Sequence, residues 1–181
     1  YFFAKFCVSG IIVISCFILS CKNDIGEVNV VTNTPDEAPE TGKGIELIYS
    51  DSAKVKFKLT AGRLERKDGE NPVTEFMDGV KIIFYDPEMN PESEIQADFA
   101  THYEKEEKIV AKSNVVVVNI KGEMLNTEEL TWEQQKHFVY TDKFVKITTA
   151  DETLFGDGLE SNEDFTRYKI KRIKGTINRK E

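Results

Sequence analysis

The chain has 181 residues, with 32 Asp and Glu against 24 Lys and Arg, and carries a net charge of -8. That balance excludes nucleic-acid binding, which depends on neutralising phosphates with Lys and Arg. The three cysteines, Cys7, Cys16 and Cys21, all precede the polar bulk of the chain, so a disulfide framework is excluded there and stability must come from a packed core.

The first element is apolar. Phe6 to Ser20 carries no charge and follows Lys5, a positive flank ahead of a greasy run. A membrane-spanning helix needs roughly 20 apolar residues and a secretory h-region about 7 to 15, so residues 1–20 read as a signal peptide. Ile18, Leu19, Ser20 and Cys21 resemble the lipobox of bacterial lipoproteins: an aliphatic residue, a tolerant position, a small residue and the cysteine. The resemblance implies that Cys21 is diacylated after cleavage and tethers the mature protein; the other reading is an uncleaved signal anchor. Cleavage removes Cys7, Cys16 and Lys5, the one charge in the segment, which moves the net charge from -8 to -9.

Lys22 to Gly44 is rich in acids, Pro and Gly and keeps no period of two or 3.6, so residues 21–44 read as the lipidated cysteine and a flexible tether. As a coil it spans about 25 Å. Residues 45–181 remain for one domain.

Strand periodicity dominates that domain. "KVKFKLTAG" alternates Val55, Phe57 and Leu59 against Lys54, Lys56 and Lys58. "VKIIFY" sets Val80, Ile82 and Phe84 on one side, and "DPEMNPE" then turns the chain. "VVVVNI" from Val115 is apolar on both parities, which suits a central strand. "HFVY", "FVKITT" and "RYKIKRIKGTI" add further strands. "NTEELTWEQQKH" is compatible with a helix by propensity but reads as two strand pieces around a turn, because a repeat demands it. Asp98, Glu128 and Asp157 recur about 30 residues apart, as do Ala100, Leu130 and Leu159, and again Ile109, Phe138 and Tyr168. Each unit is a strand, a polar turn and a strand. Such units cannot bury their faces alone, so they stack over a shared apolar interior.

The "AD-x-A" start, the turn and the returns "DGVKIIFY" and "KSNVVVVN" resemble the LptC, LptA and OstA group of lipopolysaccharide transport proteins. The order of parts, with "LIYSDSAKVKFKLTAGRL" after the leader and "LTWEQQKHFVYTDKFVKIT" before "LFGDGLES", is most similar to LptC of the Bacteroidetes type. The resemblance implies an all-β, open β-jellyroll-like stack of antiparallel hairpins whose apolar interior accepts acyl chains. On it, Val55, Phe57, Leu59, Val80, Ile82, Phe84, Leu130, Trp132, Phe138 and Tyr140 are the candidate lipid-binding interior, although a core that merely folds needs such residues too. It also implies a place on the periplasmic face of a Gram-negative inner membrane. Lipopolysaccharide would come from an ABC transporter of LptB, LptF and LptG, meeting the domain near Ile45 to Lys58. It would pass to an LptA-like bridge along the last strand, with Tyr168, Ile170 and Ile173. The better-known LptC proteins carry a membrane-spanning N-terminal helix, where this chain has a segment ending in Cys21.

Catalysis finds little support. His102 and His137 are the only histidines, read here as surface residues on polar turns, and no Cys or carboxylate spacing joins them as a metal set. Glu104, Glu106, Glu107, Glu128 and Glu129 read as solvated turn residues rather than a glycosidase pair. No phosphate loop or nucleophile elbow occurs, so no cofactor, metal or enzyme activity is expected. The other readings are a periplasmic or surface lipoprotein that binds another lipid or a glycan, and a β-repeat scaffold with a filled core.

Overall fold

The computed structural model describes residues 39–178. The signal segment, Cys21 and the tether as far as residue 38 lie outside the described residues. Ten strands follow one another: β1 (Glu40–Asp51), β2 (Lys54–Lys67), β3 (Val73–Tyr85), β4 (Pro91–Ala97), β5 (Phe99–Tyr103), β6 (Lys108–Asn119), β7 (Met124–Glu133), β8 (Phe138–Thr148), β9 (Glu152–Asn162) and β10 (Tyr168–Asn178). The sheet begins at Glu40, which pairs with Arg66, so the first strand starts inside the stretch read as tether. The only helical elements among the described residues are single 3₁₀ turns at Glu104–Glu106 and Gln134–Lys136. The second of these is where "EELTWEQQKH" changes from β7 to β8, as the repeat requires.

Every pairing is antiparallel between chain neighbours, with β4 and β5 acting as two halves of one interrupted strand against β3 and β6. The result is an all-β, jellyroll-like meander that does not close on itself: β1 and β10 are its two ends.

A seam of irregularities crosses the sheet. Register shifts fall at Ala61/Arg63 in β2, Lys112/Val115 in β6, Thr127/Thr131 in β7, Thr141/Phe144 in β8 and Ile173/Gly175 in β10. In β3 the bulge is Asp78–Gly79, whose φ angles are 63° and 87°, and Asp98 interrupts the next strand. A bulge inserts a residue, bends the strand and raises its twist, so a row of them bends the whole sheet along one line. Two leaves result, facing each other across one core. Gly79 suits its place because L side chains rarely adopt a φ of 87°, and its amide reaches the Asp98 carbonyl at 3.2 Å.

The seam gives partners to two of the acids that open repeats, Asp98 and Asp157, and to other acids at the bend. Asp98 accepts from the Asn114 amide at 2.7 Å, Arg63 donates to Asp78 at 3.2 Å, and Lys112 pairs with Glu129 at 3.4 Å. Farther along, Lys171 meets Asp142 at 2.9 Å and Lys174 meets Asp157 at 2.7 Å. These pairs stitch the outer side of the bend. Glu128 and Glu129 therefore lie in β7 at its bulge rather than in a turn.

Candidate lipid-handling interior and sheet edges

Directly opposed residues on antiparallel strands share a face, so the register traces the interior. On the first leaf one row runs Leu59, Ile82, Ile95, Val117, Leu125, Ile147 and Leu154 from β2 to β9. On the second leaf Leu64, Phe76, Ala100, Ala111 and Leu130 form a matching row. Alternation at period two produces both rows, and the bulges keep them in phase beyond the bend.

Of the sequence-derived interior set, Phe57, Leu59, Val80, Ile82, Phe84, Leu130 and Trp132 all join one buried cluster. Trp132, on the second leaf, stands edge-on to Phe57 and Phe84 on the first, at centroid distances of 5.0 and 4.8 Å. Tyr49 of β1 stacks on Phe57 at 5.1 Å. This aromatic set bridges the two leaves away from the seam. Such contacts add about 0.5–1.5 kcal/mol per pair beyond area burial.

Three residues do not join the cluster. Val55 shares the inner parity but sits at the β1–β2 hairpin end, half-exposed. Phe138 and Tyr140 point the other way: they oppose Glu133 and Thr131, while Val139 between them opposes Trp132 and is buried. The two rings stack on the outer face at 5.8 Å. Tyr140 there borders a polar depression of about 190 Å³ with Glu107, Lys108 and Gln135. The bulge in β7 and the turn at His137 together decide this parity, and alternation alone does not register either.

The histidines separate. His137 ends a 3₁₀ turn in the left-handed region, and its Nδ1 lies 2.9 Å from Glu163 Oε1. His102 is not on a turn: it lies in β5 between Thr74 and Ile109, half-buried on the inner face. Nearby, Glu104 accepts from Arg66 Nε at 2.9 Å and from Thr74 Oγ1 at 3.0 Å. Burial opposes ionisation of Glu104, but the bonds from Arg66 and Thr74 outweigh it and hold the carboxyl below its ordinary range. Among the described residues no group of His, Cys, Asp and Glu could hold a metal ion.

The interior is mostly filled. An apolar cleft between the leaves measures about 20 Å³, room for about one water, and is lined by Val117, Leu125, Ile147, Leu159, Phe165 and Tyr168 among others. The ends differ from the middle. On β1, Leu47 and Tyr49 share the inner face with Leu59 and Phe57, yet are 39% and 50% exposed. On β10, Ile173 opposes inward-facing Gly156 and is 66% exposed. Tyr168 and Ile170 pack partly against the core. The apolar inner face thus runs uncovered to both free edges.

The family model for lipopolysaccharide-assembly, LptC-related proteins matches residues 10–178. The chain belongs to the LptC-related family. Its role is therefore in lipopolysaccharide transport, and the family is a periplasm-facing inner-membrane transport component rather than a known class of enzyme. A search of the curated proteins found no match. No helix among the described residues is long and apolar enough to cross a membrane. The sequence points to the LptC-related family and to seven residues of the buried cluster, but not to Glu163 and Phe165, which join the two leaves. Glu163 and Phe165 sit in the acidic stretch "SNEDFTR", whose composition resembles the other polar turns.

Proposed function

We propose that this LptC-related domain is the periplasmic relay between an inner-membrane ABC transporter of LptB, LptF and LptG and an LptA-like bridge, held to the membrane by acylated Cys21. Lipopolysaccharide enters at the β1 edge, its acyl chains travel between the leaves, and it leaves at the β10 edge. The observation that carries the reading is the pair of free edges with exposed inner-face side chains, Leu47 and Tyr49 at one end and Ile173 at the other. An unpaired edge is a template for another chain's strand. An apolar inner face continuing to that edge lets a neighbour's interior join it, and each buried CH₂ of a passenger is worth about 0.8 kcal/mol.

The test is co-purification from detergent-solubilised membranes. Ile170→Pro removes a backbone donor in β10 and should abolish retention of the LptA-like partner while the transporter still co-purifies. A folded Ile170→Pro protein that keeps the LptA-like partner sinks the assignment of ends. For the anchor, Cys21→Ala should leave the protein unacylated and move it out of the membrane fraction; unchanged fractionation removes the lipoprotein reading.

The narrow cleft favours a second reading, a β-repeat scaffold with a filled core. Photo-crosslinking of lipopolysaccharide from the inner face separates the two, since a scaffold yields none.

A further inference from the structure

Each repeat has a turn on the side away from the seam, and two of the three are alike. Glu104–Glu106 and Gln134–Lys136 are 3₁₀ turns, each followed by one left-handed residue, and neither buries a side chain. The third, between β9 and β10, is one residue longer and breaks the pattern. Phe165, with a φ of 54°, turns inward from it and is only 4% exposed. It is the one member of the buried cluster that a loop supplies; all the others stand on strands.

The loop is hydrogen-bonded within itself. Asp164 Oδ1 accepts from the Thr166 amide and hydroxyl at 2.9 and 2.7 Å, and Asn162 Oδ1 accepts from the Arg167 amide at 3.0 Å. Outward, few bonds hold it, and they go to both leaves. Glu163 takes Trp132 Nε1 at 3.2 Å and lies 2.9 Å from His137 Nδ1 on the second leaf. On the first leaf, Ser93 Oγ donates to the Glu163 carbonyl at 3.2 Å and Asn119 Nδ2 to the Phe165 carbonyl at 3.0 Å. The Phe165 ring borders the cleft formed by Val117, Leu125, Ile147, Leu159 and Tyr168.

We infer that loop 163–167 is a latch across the open side of the roll, and that Phe165 occupies the place of an acyl chain in a slot lined by Val117, Leu125, Ile147, Leu159 and Tyr168. The inference rests on the lipid-carrying reading above and adds how that site is gated. With the loop in place the slot has no room for a passenger. Swung out on β9 and β10, the loop takes Phe165 with it and exposes apolar walls of the kind a fatty chain fills. The latch bonds are modest and partly exposed, so closure is reversible, and lipid binding carries the cost of opening as a reduced apparent affinity.

The test uses the full chain, purified lipopolysaccharide, and a photo-reactive phenylalanine analogue placed at Tyr168, in the slot, or at Leu47, at the open β1 edge. Glu163→Ala removes the contacts to Trp132 and His137 from a half-exposed position without taking a side chain out of the buried cluster. It should raise crosslinking at Tyr168 by about tenfold, the equivalent of ~1.4 kcal/mol, with little change at Leu47. Equal Tyr168 yields with and without Glu163, while Leu47 crosslinks, overturn the latch and leave the lipid reading standing. No crosslink at either position removes the lipid reading itself. In the unaltered protein Trp132, the sole tryptophan, should shift its emission as lipopolysaccharide binds; crosslinking at Tyr168 without that shift also overturns the latch.

Discussion

Leu59 shows how much of the stability rests on single inner-face residues. It is 1% exposed, it opposes Leu47 on one side and Ile82 on the other, and bulge-bent strands on both leaves leave its neighbours little freedom to collapse. Leu59→Ala should therefore cost about 2–5 kcal/mol, read as a lower urea midpoint with an unchanged slope. Glu104 behaves differently because its contribution depends on charge. Its folded pKa lies below the unfolded value of about 4.3, so its stabilisation is fully present above that value and is lost as pH falls through the folded one. Glu104→Gln should have a lower urea midpoint than the unaltered protein at pH 7. The gap should shrink as pH is taken below about 4; a gap that stays constant with pH contradicts the Arg66 and Thr74 account.

At the scale of elements, strands were legible wherever alternation was uninterrupted, as in Lys54 to Ala61 and Val80 to Phe84. What alternation cannot register is an inserted residue. Phe138 and Tyr140 carry the right chemistry for the interior, yet the bulge near Glu128 and the turn at His137 place Val139 inward instead. Asp98 and Asp157 were visible as part of a pattern, but the purpose of the acids at the bend required partners from neighbouring strands: Asn114 for Asp98, Lys112 for Glu129, Lys171 for Asp142 and Lys174 for Asp157. Those last two lysines also account for part of the basic charge on β10, since they pair with Asp142, Glu160 and Asp157 of β8 and β9. Attachment of β10 further depends on Gly156. A Cβ there would lie 2.3 Å from Ile170 Cγ2 and 2.6 Å from the Arg172 carbonyl, well inside any tolerated contact. Gly156→Ala should push β10 off β9, seen as faster amide exchange confined to Tyr168–Asn178 while β2 to β8 keep their protection. Protection in β10 equal to the unaltered protein rules out that close approach.

At the scale of the molecule, one apolar face has two roles on the proposed reading: its centre holds the fold together and its exposed ends are left for partners. Burial separates the two roles along a single sheet. Phe84 is enclosed by Phe57 and Trp132, and a charge there has no partner, so Phe84→Asp should unfold the domain. Leu47 and Ile173 share the inner face but remain exposed, at 39% and 66%. Leu47→Asp and Ile173→Asp should each change stability by no more than about 0.5 kcal/mol, as exposed substitutions do. Transport should nevertheless fail, at opposite ends. A charge at Leu47 interrupts the apolar face before lipid is taken up, so loading from the transporter should drop with little lipopolysaccharide on the domain. A charge at Ile173 interrupts it after uptake, so lipopolysaccharide should accumulate on the domain and fail to reach the LptA-like partner. Crosslinking the lipid separately to the domain and to the partner in reconstituted membranes distinguishes the two blocks. If both folded variants deliver lipid to the partner as the unaltered protein does, the edges are not the entry and exit, and passage runs elsewhere on the molecule.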